Sequence, residues 1–238
     1  KSPSVLSWED YLSLGEKKDH HKLQKRIEAQ SPQQPATLVY TSGTTSHPKA
    51  VILTHGNLTW MAQNQCHYGI KLTSSDRILS YLPLSHIAEQ MVTIHGPLQS
   101  GASAWFAESF ETLSDNLKEV RPTLFLGVPR VWEKIEEKLQ NTFQKASPLK
   151  RKILTLAQNV AFRKHDTSPH GILQEWGEAL AHKLIFSKVK QQLGMDKCRL
   201  HISAAAPLPS STQQFFLSLD IPLYELYGMS ETTGPISV

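Results

Sequence analysis

Cysteine is scarce: Cys66 and Cys198 are the only two in 238 residues, far apart and in no C-x-x-C pattern. That excludes a disulfide framework and fits reduced, buried thiols in a cytosolic compartment. The eleven histidines form no H-E-x-x-H set, so no zinc site is expected, and His20–His21 reads as a solvated helix face. No apolar run approaches the ~20 residues a membrane-spanning helix needs. The longest candidates, around Gly101–Ala107 and Ala204–Leu208, suit buried strands or turns. No signal-peptide pattern opens the chain, since Lys1–Asp10 reads as an ordinary helix start. There is no RNP-like aromatic pattern, recognition helix or basic tail, so nucleic acid is not an expected partner. Internal repeats and low-complexity tracts are also absent.

Against those absences stand a 39% hydrophobic content and a mean hydropathy of −0.32, which describe a soluble globular chain with a core. The length allows one large domain or one and a half ordinary ones. The net charge of +4 is unevenly placed. Arg130 to Arg199 holds 14 Lys and Arg against 7 Asp and Glu, whereas Leu200 to Val238 has no basic residue and only Asp220, Glu225 and Glu231 as acids. The basic stretch reads first as a solvated helix face. Contact with an anionic membrane, or with the phosphates of a nucleotide or CoA, is the functional alternative.

Ser7–Asp10 has capping-box spacing, and Ser31–Pro35 is a turn. Ala36–Thr41 reads as a buried strand and Val51–Thr54 as another, joined by a loop of small residues, Ser42–Ala50. His55–Gly69 has helical spacing. Strands are then expected at Arg77–Leu82, Ala102–Phe106 and Thr123–Gly127, with helices at Ile87–Leu98 and Asp115–Val120; Pro122 breaks the latter. Helices follow at Arg130–Lys145, entered through Pro129, at Pro148–Lys164, and at Gln174–Leu193, ended by Gly194. Cys198–Ser203 and Pro222–Glu225 return to strand around a helix at Ser210–Leu219. The alternation predicts an α/β fold with a mostly parallel sheet, flanking helices and a helical insertion.

Four segments carry chemistry. Tyr40–Lys49 is a strand followed by one glycine, Gly43, the hydroxyls Thr41, Ser42, Thr44, Thr45 and Ser46, and Lys49. Amides and hydroxyls can wrap phosphate oxygens and Lys49 adds charge, although composition alone favours an ordinary surface turn. It is not a Walker A loop, because Pro48 stands where that loop has glycine. Tyr224–Gly234 ends a strand at Tyr227 and Gly228 and presents Ser230 and Glu231. Ala204, Ala205 and Ala206 lead into a Pro207 turn. His86 follows the strand that runs through Tyr81.

Together these segments resemble the acyl- and aryl-adenylating (AMP-binding) enzymes. Tyr40–Ala50 is similar to their phosphate loop T-S-G-T-T-G-x-P-K-G at Thr41, Ser42, Gly43, Thr44, Thr45, Pro48 and Lys49, with Ser46 and Ala50 in place of two glycines. Tyr227–Glu231 is similar to Y-G-x-[T/S]-E, and Ala204–Leu208 to G-[AG]-A-P-L. Phe125–Lys134, the helical insertion and Val189–Gly194 resemble the long-chain fatty acyl-CoA synthetases, and Tyr81–Glu89 together with Leu217–Gly234 look most like their bubblegum branch. The resemblance implies a fatty acid–CoA ligase using ATP, Mg2+ and CoA. Lys49, Ser230 and Glu231 would be catalytic, with Mg2+ on Glu231. Thr41 to Thr45 and Lys49 would sit at the phosphates, Ala204, Ala205, Ala206, Tyr227 and Gly228 at the nucleotide, and His86 at the fatty acid. It further implies that residues 1–238 are part of the large N-terminal domain, inactive alone, with the small C-terminal domain absent. The expected location is cytoplasmic or peripheral on the endoplasmic reticulum or another intracellular membrane. A degenerate, non-catalytic nucleotide- or acyl-binding relative, or another acyl-adenylating ligase, is the alternative.

Overall fold

The computed structural model describes residues 5–16, 20–41, 47–164, 181 and 185–237. Two exposed helices come first, α1 (Trp8–Glu16) and α2 (His20–Glu28). Ser7 caps α1 as its spacing predicts, its Oγ accepting from the Asp10 amide at 3.1 Å. Strands β1 (Pro35–Thr41) and β2 (Lys49–Thr54) pair antiparallel, with Val39 opposite Val51 and Thr41 opposite Lys49. Helix α3 (His55–His67) then starts on a capping box: Thr54 Oγ1 accepts from the Asn57 amide at 3.2 Å, and the Thr54 amide donates to Asn57 Oδ1 at 3.0 Å.

Here one expectation is corrected. Ala36–Thr41 is a strand but not a buried one. A two-stranded sheet covers a single face, and side chains alternate. Val39 and Leu53 therefore pack with Leu58 and Met61 of α3, while Leu38, Tyr40 and Ile52 on the other face are 52%, 67% and 60% exposed.

The larger sheet begins at β3 (Arg77–Ser80), followed by α4 (Ile87–Gln90), a π-helical turn (Met91–His95) and α5 (Gly96–Ser100). The helix expected over Ile87–Leu98 is thus interrupted by a wider turn. Next come β4 (Ser103–Phe106), α6 (Leu113–Val120), β5 (Leu124–Gly127), α7 (Pro129–Gln144), α8 (Pro148–Lys164) and α9 (Ser187–Leu193). The helix expected over Gln174–Leu193 lies outside the described residues before 185, apart from Ala181. Its end is as expected, with Gly194 left-handed at φ +74. Then follow β6 (Leu200–Ala204), α10 (Ser210–Leu217), β7 (Leu223–Met229), a 3-10 turn (Ser230–Thr232) and β8 (Gly234–Ser237). β7 runs past the expected Pro222–Glu225 because β8 folds back and pairs with its end.

The strand order is β4-β3-β5-β6-β7-β8, parallel except for β8. This is the mostly parallel α/β sheet that the alternation predicts. Its main core lies under α6, α7, α9 and α10, where Phe125, Trp132 and Phe216 are fully buried. A second cluster, Leu124, Leu126, Ile202 and Ala204, faces α4 and the π-turn.

At the edge where the strands begin, Asp76 joins three segments. Its carboxylate accepts from Arg199 Nε and Nη2 at 3.1 and 2.9 Å, from Thr123 Oγ1 at 2.6 Å and from the Thr73 amide at 2.8 Å. Burial by itself would raise the Asp76 pKa, but the hydrogen bonds from Arg199, Thr123 and Thr73 outweigh it and hold it at about 2. A depressed carboxyl contributes stability that is complete above its unfolded pKa of roughly 3.9 and is lost as pH falls toward the folded value. Urea denaturation should show stability falling between pH 5 and about pH 2. Asp76→Asn should cost on the order of 2 kcal/mol at pH 7 and flatten that fall; an equally steep acid profile in the variant would contradict the assignment.

Candidate functional site

Parallel strands share a direction, so β3, β5, β6 and β7 end at one edge of the sheet, the edge where open α/β sheets bind ligands. Three of the segments singled out by sequence emerge there. His86 caps α4 just beyond β3; its carbonyl accepts from the Glu89 and Gln90 amides at 3.1 Å each, and its side chain is exposed. Ala205 and Ala206 follow β6 and are exposed, with Ala205 at φ +77, a left-handed conformation that normally favours glycine. Ala204 itself is 6% exposed and belongs to the core. Ser230 and Glu231 form the 3-10 turn at the end of β7.

That turn is held from within. Thr232 Oγ1 donates to the Gly234 carbonyl at 2.7 Å and accepts from the Met229 amide at 3.3 Å, and Thr233 is left-handed at φ +65. Gly228 has a specific reason to lack a side chain, since a Cβ there would stand 2.3 Å from the Gly234 carbonyl oxygen. The close approach at this glycine is therefore to β8. Tyr227, at the end of the strand, is 61% exposed.

The fourth segment arrives from the small hairpin. β2 lies against the Ser230–Thr232 turn, although the two are far apart in sequence. Thr41 and Lys49 are paired across the base of the hairpin, Thr41 Oγ1 reaching the Lys49 carbonyl at 3.5 Å. Ser42, Gly43, Thr44, Thr45 and Ser46 lie outside the described residues. A cavity of about 460 Å3 opens between the first turns of α3 (Gly56, Asn57, Trp60, Met61) and Glu231–Thr233. Glu231 is exposed and has no ion-pair partner among the described residues. Among the described residues, no group of three or more His, Cys, Asp or Glu side chains gathers to cage a metal. One free carboxylate at an open cavity fits a hard cation that takes its remaining oxygens from phosphate and water, as Mg2+ does.

Two carboxylates that brace this edge escaped the sequence reading. Glu89 is 2% exposed and accepts from Ser80 Oγ at 2.5 Å and Thr93 Oγ1 at 2.8 Å. It ties the end of β3 to the π-turn, while Gln90 Nε2 donates to the Leu84 carbonyl at 2.7 Å. The backbone between Ser80 and His86 is held from both neighbours. Burial, with the Glu89 carboxylate adding to it, pushes the Tyr81 phenol above its ordinary range, and the hydroxyl donates to the Leu126 carbonyl at 3.0 Å. Glu225 on β7 accepts from the Leu208 amide at 2.9 Å and so fastens the Ala205–Leu208 loop to the neighbouring strand. The available signal for Glu89 was a charge inside an apolar helical run; for Glu225 there was none.

Glu89→Leu should cost roughly 1–3 kcal/mol, because the Ser80 and Thr93 hydroxyls lose their shared acceptor. Glu89→Gln, which keeps an acceptor oxygen, should cost less. Urea denaturation of both variants measures the difference, and equal losses would contradict the role of the shared acceptor oxygen.

The family model for "AMP-binding enzyme" matches residues 3–238. Over the whole chain, 44% of residues are identical to the long-chain-fatty-acid–CoA ligase ACSBG2 of Gallus gallus and to that of Homo sapiens, covering 32% and 36% of those proteins. The long-chain-fatty-acid–CoA ligase ACSBG1 of Homo sapiens is 40% identical over 99% of the chain and 33% of its own length. The chain thus spans about a third of these relatives. Among solved structures, ATP-bound MatB from Rhodopseudomonas palustris superposes with a TM-score of 0.57 at 22% identity, over 86% of this chain and 31% of that one. A malonyl-CoA ligase complex with methylmalonyl-CoA and AMP gives 0.56 at 24% identity, over 84% and 34%. At those identities the superpositions speak for the fold.

Proposed function

The chain belongs to the AMP-binding enzyme family, and on that premise we propose that it supplies the nucleotide-binding core of an ATP-dependent long-chain fatty acid–CoA ligase. The observation that carries the proposal is the seating of β2 against the Ser230–Thr232 turn. It sets the strand that begins at Lys49 beside the turn that carries the free carboxylate of Glu231. The relatives at 40–44% identity, which are fatty acid–CoA ligases by name, favour a fatty carboxylate as the acid.

In this reading a fatty carboxylate oxygen attacks the α-phosphorus of ATP. The bond to the bridging oxygen breaks and pyrophosphate leaves with that electron pair. CoA thiolate then attacks the acyl carbon of the acyl adenylate, and AMP departs. No side chain becomes covalently bonded, so the protein's work is positioning and charge compensation. Thr41, Ser42, Gly43, Thr44, Thr45 and Lys49 hold the β- and γ-phosphates, and the Ser230 hydroxyl donates to an α-phosphate oxygen. Tyr227 and the Ala204–Ala206 backbone flank the adenine beside Gly228. His86 stands where the fatty carboxylate approaches. Glu231 holds Mg2+, which supplies positive charge to the phosphate oxygens. Peripheral contact with an anionic membrane belongs to the same reading, through the exposed Lys150, Arg151 and Lys152 of α8. Salt screens such contact.

The test is fatty-acid-dependent ATP–pyrophosphate exchange by the full-length gene product. Exchange is expected, and Glu231→Gln should reduce it by about a hundredfold or more, in line with loss of one transition-state charge contact. No exchange in either form would overturn the catalytic reading. The double variant Ser46→Gly, Ala50→Gly addresses a second reading, because these residues replace two glycines of the phosphate-loop pattern. Exchange that appears only in the variant would identify a nucleotide- or acyl-binding protein that has lost its chemistry.

A further inference from the structure

The sequence contains four Ser-Pro pairs, at Ser2, Ser31, Ser147 and Ser168, and only Ser147 has a basic residue three positions on, Lys150. Val5, Gln34 and Gly171 stand at that position after the other three. Ser147 lies in the short link between α7 and α8 and is exposed, as are Pro148, Leu149 and Lys150, whereas Ser31 is half-buried. The Ser147 carbonyl accepts from the Arg151 amide at 3.0 Å, which makes Ser147 the residue that caps α8, with Pro148 in the first helical position. Proline turns the residue before it away from helical backbone, so the hydroxyl is carried on a non-helical residue. Ser7 closes α1 with its Oγ; the Ser147 Oγ has no such bond among the described residues.

The surroundings of Ser147 are cationic and thinly packed. No acidic residue lies between Glu137 and Asp166, while Lys145, Lys150, Arg151 and Lys152 flank the serine. All four are exposed, and none has a salt bridge among the described residues. Between Leu139 on α7 and Ala157 on α8 no side chain is buried. A helix start with so few packed contacts opens locally at low cost, and the segment can then extend into the cleft of an enzyme that modifies it.

We propose that Ser147 is a phosphorylation site for a proline-directed protein kinase, and that the phosphate it gains is held by Lys150 and Arg151. In the transfer, Ser147 Oγ attacks the γ-phosphorus of the kinase's ATP. The bond to the β,γ-bridging oxygen breaks, ADP leaves with that electron pair, and the hydroxyl proton passes to the kinase's carboxylate base. Proline specifies the site because a cleft that offers the next backbone nitrogen no acceptor favours the one residue that has no N–H. The product carries a charge of about −1.5 to −2 at pH 7, set among four cations that no neighbouring carboxylate compensates. Lys150 and Arg151, three and four residues on, lie on its side of the helix. The site does not depend on the adenylating reaction or on membrane contact, so a protein without exchange activity tests it equally well.

The full-length gene product is incubated with a purified cyclin-dependent kinase and ATP, and its phosphopeptides are mapped by mass spectrometry beside those recovered from cells that express it. Phosphate is expected at Ser147 in both and at Ser31 in neither. Pro148→Ala should lower the initial rate at Ser147 about tenfold or more, and Lys150→Gln should lower it less. Both positions are exposed, so neither change should move the urea midpoint of the unmodified protein. Phosphorus NMR of the phosphorylated protein then reads the contact. The second phosphate pKa should fall below its ordinary value of about 6, because the flanking cations favour the dianion, and return toward it in Lys150→Gln with Arg151→Gln. Ser147 left unmodified, or modified equally fast in Pro148→Ala, would overturn the assignment. A phosphate pKa indifferent to the two substitutions would overturn its capture by Lys150 and Arg151.

Discussion

The indole N–H of Trp132 donates to the carbonyl of Ile202 at 3.1 Å, through the middle of the sheet's covered face. The first turn of α7 is thereby fastened to β6, the strand next to the β5 from which α7 leaves. Phe125 and Phe216 meet the same ring edge-on, with centroids 5.4 and 5.3 Å away, so α7 and α10 pack against the sheet through one indole. The arrangement requires Gly127, where a Cβ would stand 2.6 Å from the indole nitrogen. It also sets conditions on β6. His201 lies beside Trp132 in this layer, and burial lowers its pKa to about 4, so the ring is neutral at physiological pH. Its Nε2, like Ser203 Oγ, has no hydrogen-bond partner among the described residues, an expense of roughly 1–3 kcal/mol for each unpaired group.

With α7 seated, the direction of the strands decides where chemistry can occur. β3, β5, β6 and β7 run parallel, so their ends come to one edge. The loops there are short and individually tied. Glu89 and Gln90 secure the approach to His86, Glu225 secures the alanine loop, and Thr232 closes the turn that presents Glu231. Each tie spans only one or two elements. The hairpin β1–β2 is the exception. It does not join the large sheet and reaches the edge through α3 and the turn after β7. The exposed outer face of Leu38, Tyr40 and Ile52 follows from that placement.

Much of this was legible before any coordinates. Strand and helix order followed from hydrophobic period, Gly194 marked a helix end, Ser7 marked a helix start, and the phosphate-loop and Tyr227–Glu231 patterns named the family. The misreadings share a cause. Ala36–Thr41 is apolar enough to be buried, but burial depends on how many sheets and helices cover it. The run Ile87–Leu98 has helical composition throughout, but a one-residue widening of a turn leaves no mark in periodicity. Glu89 was visible as a charge in an apolar run, without any indication that two hydroxyls from separate segments would satisfy it.

The sequence by itself determined the alternating elements, the residue types able to handle phosphate, and the family, because these depend on local period and on contiguous motifs. Only the tertiary structure decided that β2 lies against the turn that presents Glu231 and that Gly228 makes room for a neighbouring strand. Those relations join residues distant along the chain, and they are set by strand order and by the volume of the side chains between them.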